Sequence, residues 1–211
     1  VFQSAIFADF AEGSGHSIIN AVAGSGKTTT IIKGFEYLPD GLSVLFVAFN
    51  KAIAEELSAR VPQNKGIECS TLHSFGYKAC MNAYGRIKMD KNKVMGICKD
   101  YIANLPKDGY WPMQKAVSIC KAYTVKDSEI NTDFIAEILI KHDIAFEDRD
   151  AKYFIGDFIA DCEKVLNLSR RMTGTIDFDD MVWLPVINNL RLRKFPRICV
   201  DECQDLNLVQ L

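Results

Sequence analysis

The sequence predicts an α/β fold with a parallel sheet, interrupted by an all-helical insertion subdomain. Apolar runs typical of buried strands alternate with helical patterns over residues 1–76, and the same alternation returns over residues 176–211. Over residues 77–175 the strand-like runs vanish and only helical patterns remain. A glycine-rich turn also lies between an early apolar run and a helix, which is where parallel sheets bind ligands.

Length and composition indicate an ordinary globular protein. The chain has 211 residues, of which 48% are hydrophobic and 25% charged, so it can bury a proper core. Its net charge of -2 gives no overall attraction to nucleic acid, and any such site must be a local patch. Its 7 cysteines lack a CxxC pair, which favours reduced thiols in a cytosolic or nuclear setting. The sequence contains neither a membrane span nor a signal peptide, and because it does not begin with Met we expect a longer protein.

The N-terminal segment is predicted to be a helix over Val1–Gly15, because Phe2, Ile6 and Phe10 recur at helical spacing. Gln3 lies near the start of this helix, ahead of the glycine-rich turn. It is either a solvated helix residue or an adenine reader, since a carboxamide can both donate to and accept from the edge of that base.

The strongest local signal is a phosphate-binding loop. The apolar run Ser17–Val22 is predicted to be a buried strand, and the chain turns helical directly after the glycine-rich turn. Gly24 and Gly26 allow backbone N–H groups to approach an anion, which the dipole of the following helix also favours. Lys27 adds a point charge, and the hydroxyl of Thr28 suits Mg²⁺. The alternative is a glycine turn that merely precedes a Lys-Thr pair.

Two more strands complete the first α/β portion. Ser43–Phe49 is predicted to be a buried strand, and Asn50 is a suitable N-cap for the helix that follows it. Ile67–Ser70 is predicted to be a short third strand, leading into a helix near Thr71–Gly76. Because the carboxyl ends of parallel strands share one edge, we expect the phosphate loop and the residues after these two strands to lie on one rim.

The predicted insertion combines basic and aromatic residues. Its helix candidates are Lys91–Asn104, Met113–Tyr123, Asp133–His142 and Ala151–Leu168. The basic residues of its first half are Lys78, Arg86, Lys88, Lys91, Lys93, Lys99, Lys107, Lys115, Lys121 and Lys126, and the interleaved aromatics are Tyr77, Tyr84, Tyr101, Tyr110, Trp111 and Tyr123. This combination suits a nucleic-acid strand, through phosphate contacts and base stacking. The alternative is a solvated helix face whose aromatics belong to the core.

The α/β pattern returns with an acidic segment and a strand. Ile176–Met181 opens a helix, and we interpret its aspartates mainly as caps and dipole partners. Arg197–Val200 is predicted to be a buried strand that runs directly into Asp201 and Glu202. Packing explains two carboxylates at a strand's carboxyl end poorly. One of them can hold Mg²⁺ while its neighbour orients or deprotonates a water molecule.

Four motifs occur in order along the chain. They are Ala23-Gly24-Ser25-Gly26-Lys27-Thr28, Phe49-Asn50-Lys51-Ala52-x-Ala54-Glu55, Thr71-Leu72-His73-Ser74-Phe75 and Asp201-Glu202-Cys203-Gln204-Asp205. This set resembles the UvrD/Rep type of superfamily 1 DNA helicase, and the Phe-Asn-Lys form is most similar to the F-box DNA helicase and related phage or bacterial branches. Ala21 replaces the first glycine of the usual loop, and Cys203 stands where Phe or Ala is more usual. The insertion matches the family's helical subdomain in position only.

The resemblance implies a RecA-like P-loop NTPase motor domain formed by residues 1–76 and 176–211, with 77–175 as the helical insertion. It implies ATP and Mg²⁺ as ligands and single-stranded or partly duplex DNA as a partner. The implied nucleotide-binding residues are Gln3, which reads adenine, and Ala23, Gly24, Ser25, Gly26, Lys27, Thr28 and Thr29. The implied catalytic residues are the phosphate lysine Lys27, the base Glu202 and the γ-phosphate sensor Gln204, and the Mg²⁺ ligands are Thr28 and Asp201. The implied DNA contacts are Phe49, Asn50, Thr71 and His73.

The family also needs a second RecA-like domain, which supplies arginine fingers. We therefore expect this chain to be the first motor domain, and we expect it to hydrolyse ATP hardly at all by itself. Three other functions stay open at this point: the helicase part of a helicase-nuclease, a P-loop ATPase regulator that uses no nucleic acid, and a passive single-strand binding module. The regulator would leave the second and third motifs as coincidences, and ATP turnover would exclude the passive module.

Overall fold

The computed structural model describes residues 2–22, 24–144 and 153–211, and these form two compact units. The sheet unit contains residues 2–72 and Arg193–Asp205. The helical unit contains the described residues between His73 and Leu192, together with Leu206–Leu211. Residues 1–76 and 176–211 are assigned from the sequence to an ATP-binding motor domain. That assignment concerns function and not these two structural units, and it stays a prediction.

The helices and strands alternate at both ends of the chain. The helices are α1 (Phe2–Glu12), α2 (Lys27–Gly34), α3 (Lys51–Arg60), α4 (Leu72–Tyr84), α5 (Lys93–Tyr101), α6 (Tyr110–Tyr123), α7 (Thr132–Lys141), α8 (Ile155–Arg171) and α9 (Asp180–Ile187). The strands are β1 (Ser43–Val47), β2 (Gly66–Ser70), β3 (Lys88–Met89), β4 (Thr175–Ile176) and β5 (Arg197–Val200). In the part of the chain that the structure describes, no helix has the length and apolar character needed to span a membrane.

A parallel three-stranded sheet in the order β2-β1-β5 forms the centre of the sheet unit. Residue Phe46 of the central strand lies opposite Cys69 on one side and Cys199 on the other. Apolar side chains of α1, α2 and α3 pack with β1 in one core. Within this core the ring of Phe35 lies edge-on to two other rings. The distance between ring centroids is 5.5 Å to Phe10 and 5.2 Å to Phe46. Successive residues of β1 are buried although their side chains point to opposite faces of the sheet, so both faces of the strand are covered. This explains why its sequence is continuously apolar.

The predicted strands at residues 43–49 and 67–70 are confirmed, and so is the helix after Asn50. The side chain of Asn50 caps α3, since its Oδ1 accepts a hydrogen bond from the N–H of Ile53 at 2.9 Å. The N-terminal helix is also confirmed, as α1. These elements carry strong local signals, namely an apolar run, a capping residue and a helical period.

The prediction of a buried strand at Ser17–Val22 is wrong. This segment has no sheet pairing, and its side chains are exposed, Ile18 by 88% and Val22 by 79%. An apolar run becomes a strand only when its backbone N–H and C=O groups join a ladder. Here the run lines a cavity together with β5 instead of pairing with it. β5 is accordingly an edge strand among the described residues, and Ile198 is 56% exposed where a buried strand was predicted.

The helical unit has its own core, in which α8 contacts α5, α6 and α7. Three residues of α8, Phe158, Val165 and Leu166, are fully buried in this core. The helices predicted near residues 91–104, 113–123 and 133–142 are confirmed as α5, α6 and α7. Residues 151–152 of the fourth predicted helix lie outside the described residues, and α8 begins at Ile155. The parallel strands β3 and β4 interrupt the helical pattern, and at two residues each they are too short for a sequence period to predict.

The basic and aromatic residues of the insertion divide between core and surface. Four of the aromatics pack against the core of the helical unit, namely Tyr77, Tyr84, Tyr110 and Tyr123. Trp111 and Tyr101 remain exposed. Lys93 and Lys121, predicted as part of a basic face, are only 4% and 1% exposed. The core interpretation therefore holds for most of the tyrosines, and two of the lysines have a buried role that the composition did not indicate.

Gly76 of α4 makes a very close approach to α9. A Cβ at this position would lie 2.0 Å from the carbonyl oxygen of Met181. We expect Gly76→Ala to force the two helices apart and to lower the free energy of unfolding by about 1–3 kcal/mol, as measured by denaturant titration. Gly96→Ala in α5 is the matched control, because a Cβ there meets nothing within 4 Å and alanine favours helices. Equal stability of the two variants would contradict the close approach.

Candidate nucleotide and nucleic-acid sites

Two glycines give the predicted phosphate loop its shape. Gly24 has a φ of +75° and Gly26 a φ of +82°, a left-handed conformation that side chains rarely adopt. The space where a Cβ would stand is open within 4 Å at both positions. Gly26 is the N-cap of α2, so the unpaired N–H groups of the first helical turn lie beside the loop. The backbone therefore fits an anion, and the Lys27 amine, which donates to the carbonyl of Ala21 at 3.1 Å, lies against the same loop.

The hydroxyl of Thr28 connects this loop to the end of β5. It donates to Oδ2 of Asp201 at 2.9 Å, across a sequence separation of 173 positions. Asp201 directly follows β5, and its N–H donates to the carbonyl of Val47 in β1 at 3.0 Å. The parallel pairing of β5 with β1 thus delivers the carboxylate to the loop. A hydroxyl and a carboxylate oxygen are ligands that Mg²⁺ accepts.

Glu202 has a strained backbone. Its φ is +52°, in the left-handed region where a side chain is unfavourable. Such outliers cost on the order of 1–3 kcal/mol and are frequent at functional sites. Its Oε2 accepts a hydrogen bond from Nε2 of Gln204 at 2.6 Å, so the neighbouring amide orients the carboxylate.

A cavity of about 370 Å³ lies within the sheet unit, between β5, residues of the segment 13–19 and the first turns of α2. Four residues predicted to act on phosphate, metal or water line it, namely Lys27, Asp201, Glu202 and Gln204. Small-molecule sites have volumes of roughly 300–1,000 Å³, so the cavity is large enough for a ligand. The cavity is lined by the amine of Lys27, at the start of α2, and by the carboxylates of Asp201 and Glu202. This combination suits a polyanionic ligand that binds together with a metal cation.

The remaining nucleotide candidates lie around the loop and α2. Nε2 of Gln3 donates to Oγ1 of Thr30 at 3.3 Å, which holds the start of α1 near α2. Oγ1 of Thr29 accepts from Arg60 at 3.4 Å, and the N–H of Ser25 donates within the loop. Ala23 lies outside the described residues. The structure therefore gathers the predicted phosphate and metal residues more closely than the predicted adenine reader.

Three of the predicted DNA contacts lie in the sheet unit. Phe49 and Asn50 follow β1, and Thr71 follows β2, so all three lie at the sheet edge that Asp201 also occupies. The predicted common rim is confirmed for these residues. Phe49 is 65% exposed, whereas Thr71 is buried. Because Asn50 Oδ1 caps α3, a ligand at Asn50 would be bound by its amide nitrogen.

His73, the fourth predicted DNA contact, belongs to the helical unit and stacks on a residue that the sequence analysis missed. Its ring lies 3.9 Å from the ring of Phe178, with an angle of 20° between the planes. Phe178 is 59% exposed. Burial lowers the pKa of His73, so its imidazole is neutral at pH 7. The sequence did contain a signal for Phe178, because it is an aromatic residue between aspartates just before a helix. The helical period of the following residues does not place such a residue in the core.

A buried cluster of charges lies behind this stack. Nζ of Lys93 lies 2.6 Å from Oδ2 of Asp180, and Nζ of Lys121 lies 2.7 Å from both Oδ1 of Asp180 and Oδ2 of Asp177. Asp179, the residue directly before α9, makes no side-chain capping hydrogen bond. The N–H of Asp180 instead donates to Oδ1 of Asp177 at 2.8 Å, so the cap interpretation is confirmed for Asp177 but not for Asp179. For Asp180 it is incomplete, because this carboxylate is the centre of the ion pairs.

The buried charges shift one another's protonation. Burial raises the pKa of Asp180, but the ammonium groups of Lys121 and Lys93 outweigh burial and hold this pKa below its usual 3.8. Burial lowers the pKa of Lys121, yet Asp180 and Asp177 outweigh it and leave that pKa raised. For Lys93 burial dominates, and its pKa is lowered. Asp180 is therefore ionised at neutral pH.

The family described as UvrD/REP helicase N-terminal domain matches residues 4–211 of the chain. The chain belongs to this family. The resemblance drawn from the four motifs is thereby confirmed, and so is the predicted fold class, a RecA-like α/β domain with a parallel sheet.

Curated relatives of the UvrD/REP chain include helicases from bacteria and eukaryotes. The ATP-dependent DNA helicase Rep of Buchnera aphidicola subsp. Acyrthosiphon pisum is 26% identical over 215 residues, which cover 92% of this chain and 32% of the relative. F-box DNA helicase 1 of Gallus gallus is 40% identical over 76 residues, covering 36% of this chain and 7% of the relative. F-box DNA helicase protein 1 of Schizosaccharomyces pombe is 38% identical over 63 residues, covering 30% and 7%. The chain thus spans about a third of the length of the Rep relative.

The buried ion pairs of this UvrD/REP domain predict an acid-sensitive contribution to stability. We expect Asp180→Asn to lower the free energy of unfolding at pH 7 by about 3–5 kcal/mol, because it leaves two buried lysines with one carboxylate. The control is Asp40→Asn, which removes a fully exposed carboxylate from its ion pair with Lys65 and should lower the free energy of unfolding far less.

The pH dependence of the same comparison gives a second measurement. The depressed pKa of Asp180 means that its stabilisation is present above the usual value near 3.8 and is lost as pH falls through the lower, folded-state value. The stability difference between Asp180→Asn and the unmodified protein should therefore shrink below about pH 4. A difference that stays constant down to pH 2 would exclude the ion pairs as its cause.

Proposed function

We propose that this chain is the ATP-binding motor domain of an ATP-dependent DNA helicase or translocase. The observation that carries the proposal is the hydrogen bond from Thr28 to Asp201, which joins a phosphate loop to a carboxylate at the end of a parallel strand. The two groups come from opposite ends of the sequence, and Asp201 also lines the cavity together with Lys27. Following the family resemblance, we assign residues 1–76 and 176–211 to the motor domain and 77–175 to its helical insertion.

The nucleotide would bind with its phosphates at the loop. The open space at Gly24 and Gly26 allows backbone N–H groups to approach the phosphates, and the Lys27 amine can leave its loop carbonyl to neutralise them. Oγ1 of Thr28 and the carboxylate of Asp201 fit Mg²⁺, which would offset the charge of the phosphates. Gln3 would read the adenine from the start of α1.

Glu202 would act as the general base. Its strained backbone directs it from the end of β5 into the same cavity as Lys27, and Gln204 holds one of its carboxylate oxygens. The second oxygen can then orient the attacking water and accept its proton. Gln204 donates to this base and lines the same cavity, so it would act as the sensor of a γ-phosphate bound there. Arginine fingers would come from the second RecA-like domain that the family implies.

Single-stranded DNA is the proposed second substrate. In the helical unit the exposed ring of Phe178, supported by His73, offers a face on which a base can stack. In the sheet unit Phe49 and Asn50 lie exposed at the end of β1, and Thr71 lies at the end of β2. These groups favour a DNA motor over a P-loop ATPase that uses no nucleic acid, because Phe49, Asn50 and Thr71 belong to the second and third motifs, which such a regulator would leave unexplained.

Substitution of the proposed base should separate binding from turnover. We expect Glu202→Gln, made in the whole protein, to retain ATP binding and to lower kcat by roughly 10²–10⁴-fold, because the amide cannot accept a proton. Lys27→Ala is the comparison variant, since it removes a phosphate contact and should weaken binding as well. Equilibrium binding of a fluorescent ATP analogue and a phosphate-release assay give the two quantities. Loss of binding in Glu202→Gln would make Glu202 a metal ligand or a structural residue.

Removal of the exposed ring should weaken single-strand binding. Base–aromatic stacking contributes about 1–3 kcal/mol per base, so we expect Phe178→Ala to weaken the Kd for an oligothymidylate by about 5–150-fold. Fluorescence anisotropy with a labelled oligonucleotide measures this Kd. Phe154→Ala is the matched control, because Phe154 is a similarly exposed phenylalanine of the helical unit, at 65%. Equal affinity of both variants would argue against the aromatic site.

A further inference from the structure

We propose that Lys93 and Lys121 are positioning residues for nucleic-acid binding, which act by fixing the turn Asp177–Asp180 and so holding Phe178 against His73. This inference deepens the proposed function and rests on it. The two lysines are buried, so they would not contact the nucleic acid themselves. Their proposed effect is transmitted through the turn.

The ion pairs around the turn form a closed and neutral set. Two ammonium groups meet two carboxylates, and the three distances between them are 2.6, 2.7 and 2.7 Å. Nζ of Lys93 also donates to the carbonyl of Ser169, near the end of α8, at 2.7 Å. Lys93 begins α5, Lys121 lies in the last turn of α6, and Asp180 begins α9. The set therefore ties the turn to three other helices of the unit, α5, α6 and α8.

The turn is fixed on both sides of Phe178. The N–H of Asp180 donates to Oδ1 of Asp177 at 2.8 Å, and the N–H of Asp177 donates to Oδ2 of Asp180 at 3.1 Å. The residue before the turn, Ile176, is fully buried and paired with Met89. Asp177 and Asp180 are 7% and 0% exposed, whereas Phe178 between them is 59% exposed. The backbone that carries the exposed ring is thus held by buried groups on either side.

Stability alone does not explain this arrangement. Burying four charges costs desolvation, and well-packed apolar residues of similar size often replace such ion pairs with no loss of stability. What an apolar cluster would lack is direction, because only the ion pairs and reciprocal hydrogen bonds define one orientation of the turn. A ring that is already oriented does not lose conformational entropy when a base stacks on it, and this raises affinity.

The test removes the ion pair nearest Phe178 without leaving a buried charge unpaired. In the double variant Lys121→Met/Asp177→Asn, the remaining pair of Lys93 and Asp180 is neutral, and Oδ1 of the new asparagine can still accept from the N–H of Asp180. The matched control is Lys65→Met/Asp40→Asn, the same pair of substitutions at an ion pair of the sheet unit. Both are made in the whole protein, and three quantities are measured: thermal unfolding, binding of an ATP analogue, and Kd for a labelled oligothymidylate.

We expect the double variant to unfold cooperatively, to bind the ATP analogue normally, and to bind the oligothymidylate at least about 5-fold more weakly than the control. Added to Phe178→Ala, the same two substitutions should weaken binding no further, because they act through the ring that is already absent. A network that merely supports the fold would instead lower affinity by the same factor with or without Phe178.

Each other outcome is decisive. Unchanged affinity of the double variant, or equal losses in both backgrounds, would overturn the positioning role while leaving the proposed function intact, provided that Phe178→Ala alone weakens binding. If Phe178→Ala alone binds normally, the proposed aromatic site fails and this inference fails with it. If the double variant does not unfold cooperatively, Lys93→Met/Asp177→Asn carries the same two comparisons, because the remaining buried pair of Lys121 and Asp180 is then neutral.

Discussion

The parallel pairing of β1 with β5 is the constraint on which the candidate nucleotide site depends. Val47 lies opposite Val200, and the N–H of Asp201 extends the ladder by one more bond to the carbonyl of Val47. Without this pairing the carboxylate of Asp201 would have no reason to approach Thr28, which lies far away in the sequence. The chain between the two strands includes residues 73–192, which form most of the helical unit. The entropy of closing such a loop grows only with the logarithm of its length, so a long insertion costs the sheet little.

The same strand also fixes the first helix. At the start of β5, the guanidinium of Arg197 donates to the carbonyls of Asp9, Phe10 and Gly13 at 3.0, 3.1 and 2.8 Å. These carbonyls lie at the C-terminal end of α1, where a helix has unpaired acceptors. β5 thus holds α1 by its first residue and meets α2 just beyond its last. A strained Glu202 is tolerable at this position because both flanking structures are fixed by other contacts.

Local signals predicted the parts of this fold that depend on neighbours in sequence. The loop glycines, the Asn50 cap and the apolar β1 are of this kind. Predictions failed where the deciding partner is distant. The segment Ser17–Val22 has the composition of a strand, but composition does not reveal whether an edge is available to pair with it. Lys93 and Lys121 have the helix positions of surface lysines, and their partners in the Asp177–Asp180 turn lie 87 and 56 positions away.

The chemistry of the proposed DNA contacts is compatible with the slightly negative net charge of the chain. Phe178, Phe49 and Asn50 are uncharged, and the lowered pKa of His73 makes its imidazole neutral at pH 7. Contacts of this kind bind through stacking and hydrogen bonds, so they release no counterions and their contribution changes little with salt. A chain with a net charge of -2 can therefore offer a surface for single-stranded DNA without a basic face. Lys93 and Lys121, which the sequence suggested as part of such a face, are instead buried. In the proposed role their charges orient the ring of Phe178 and do not attract a phosphate.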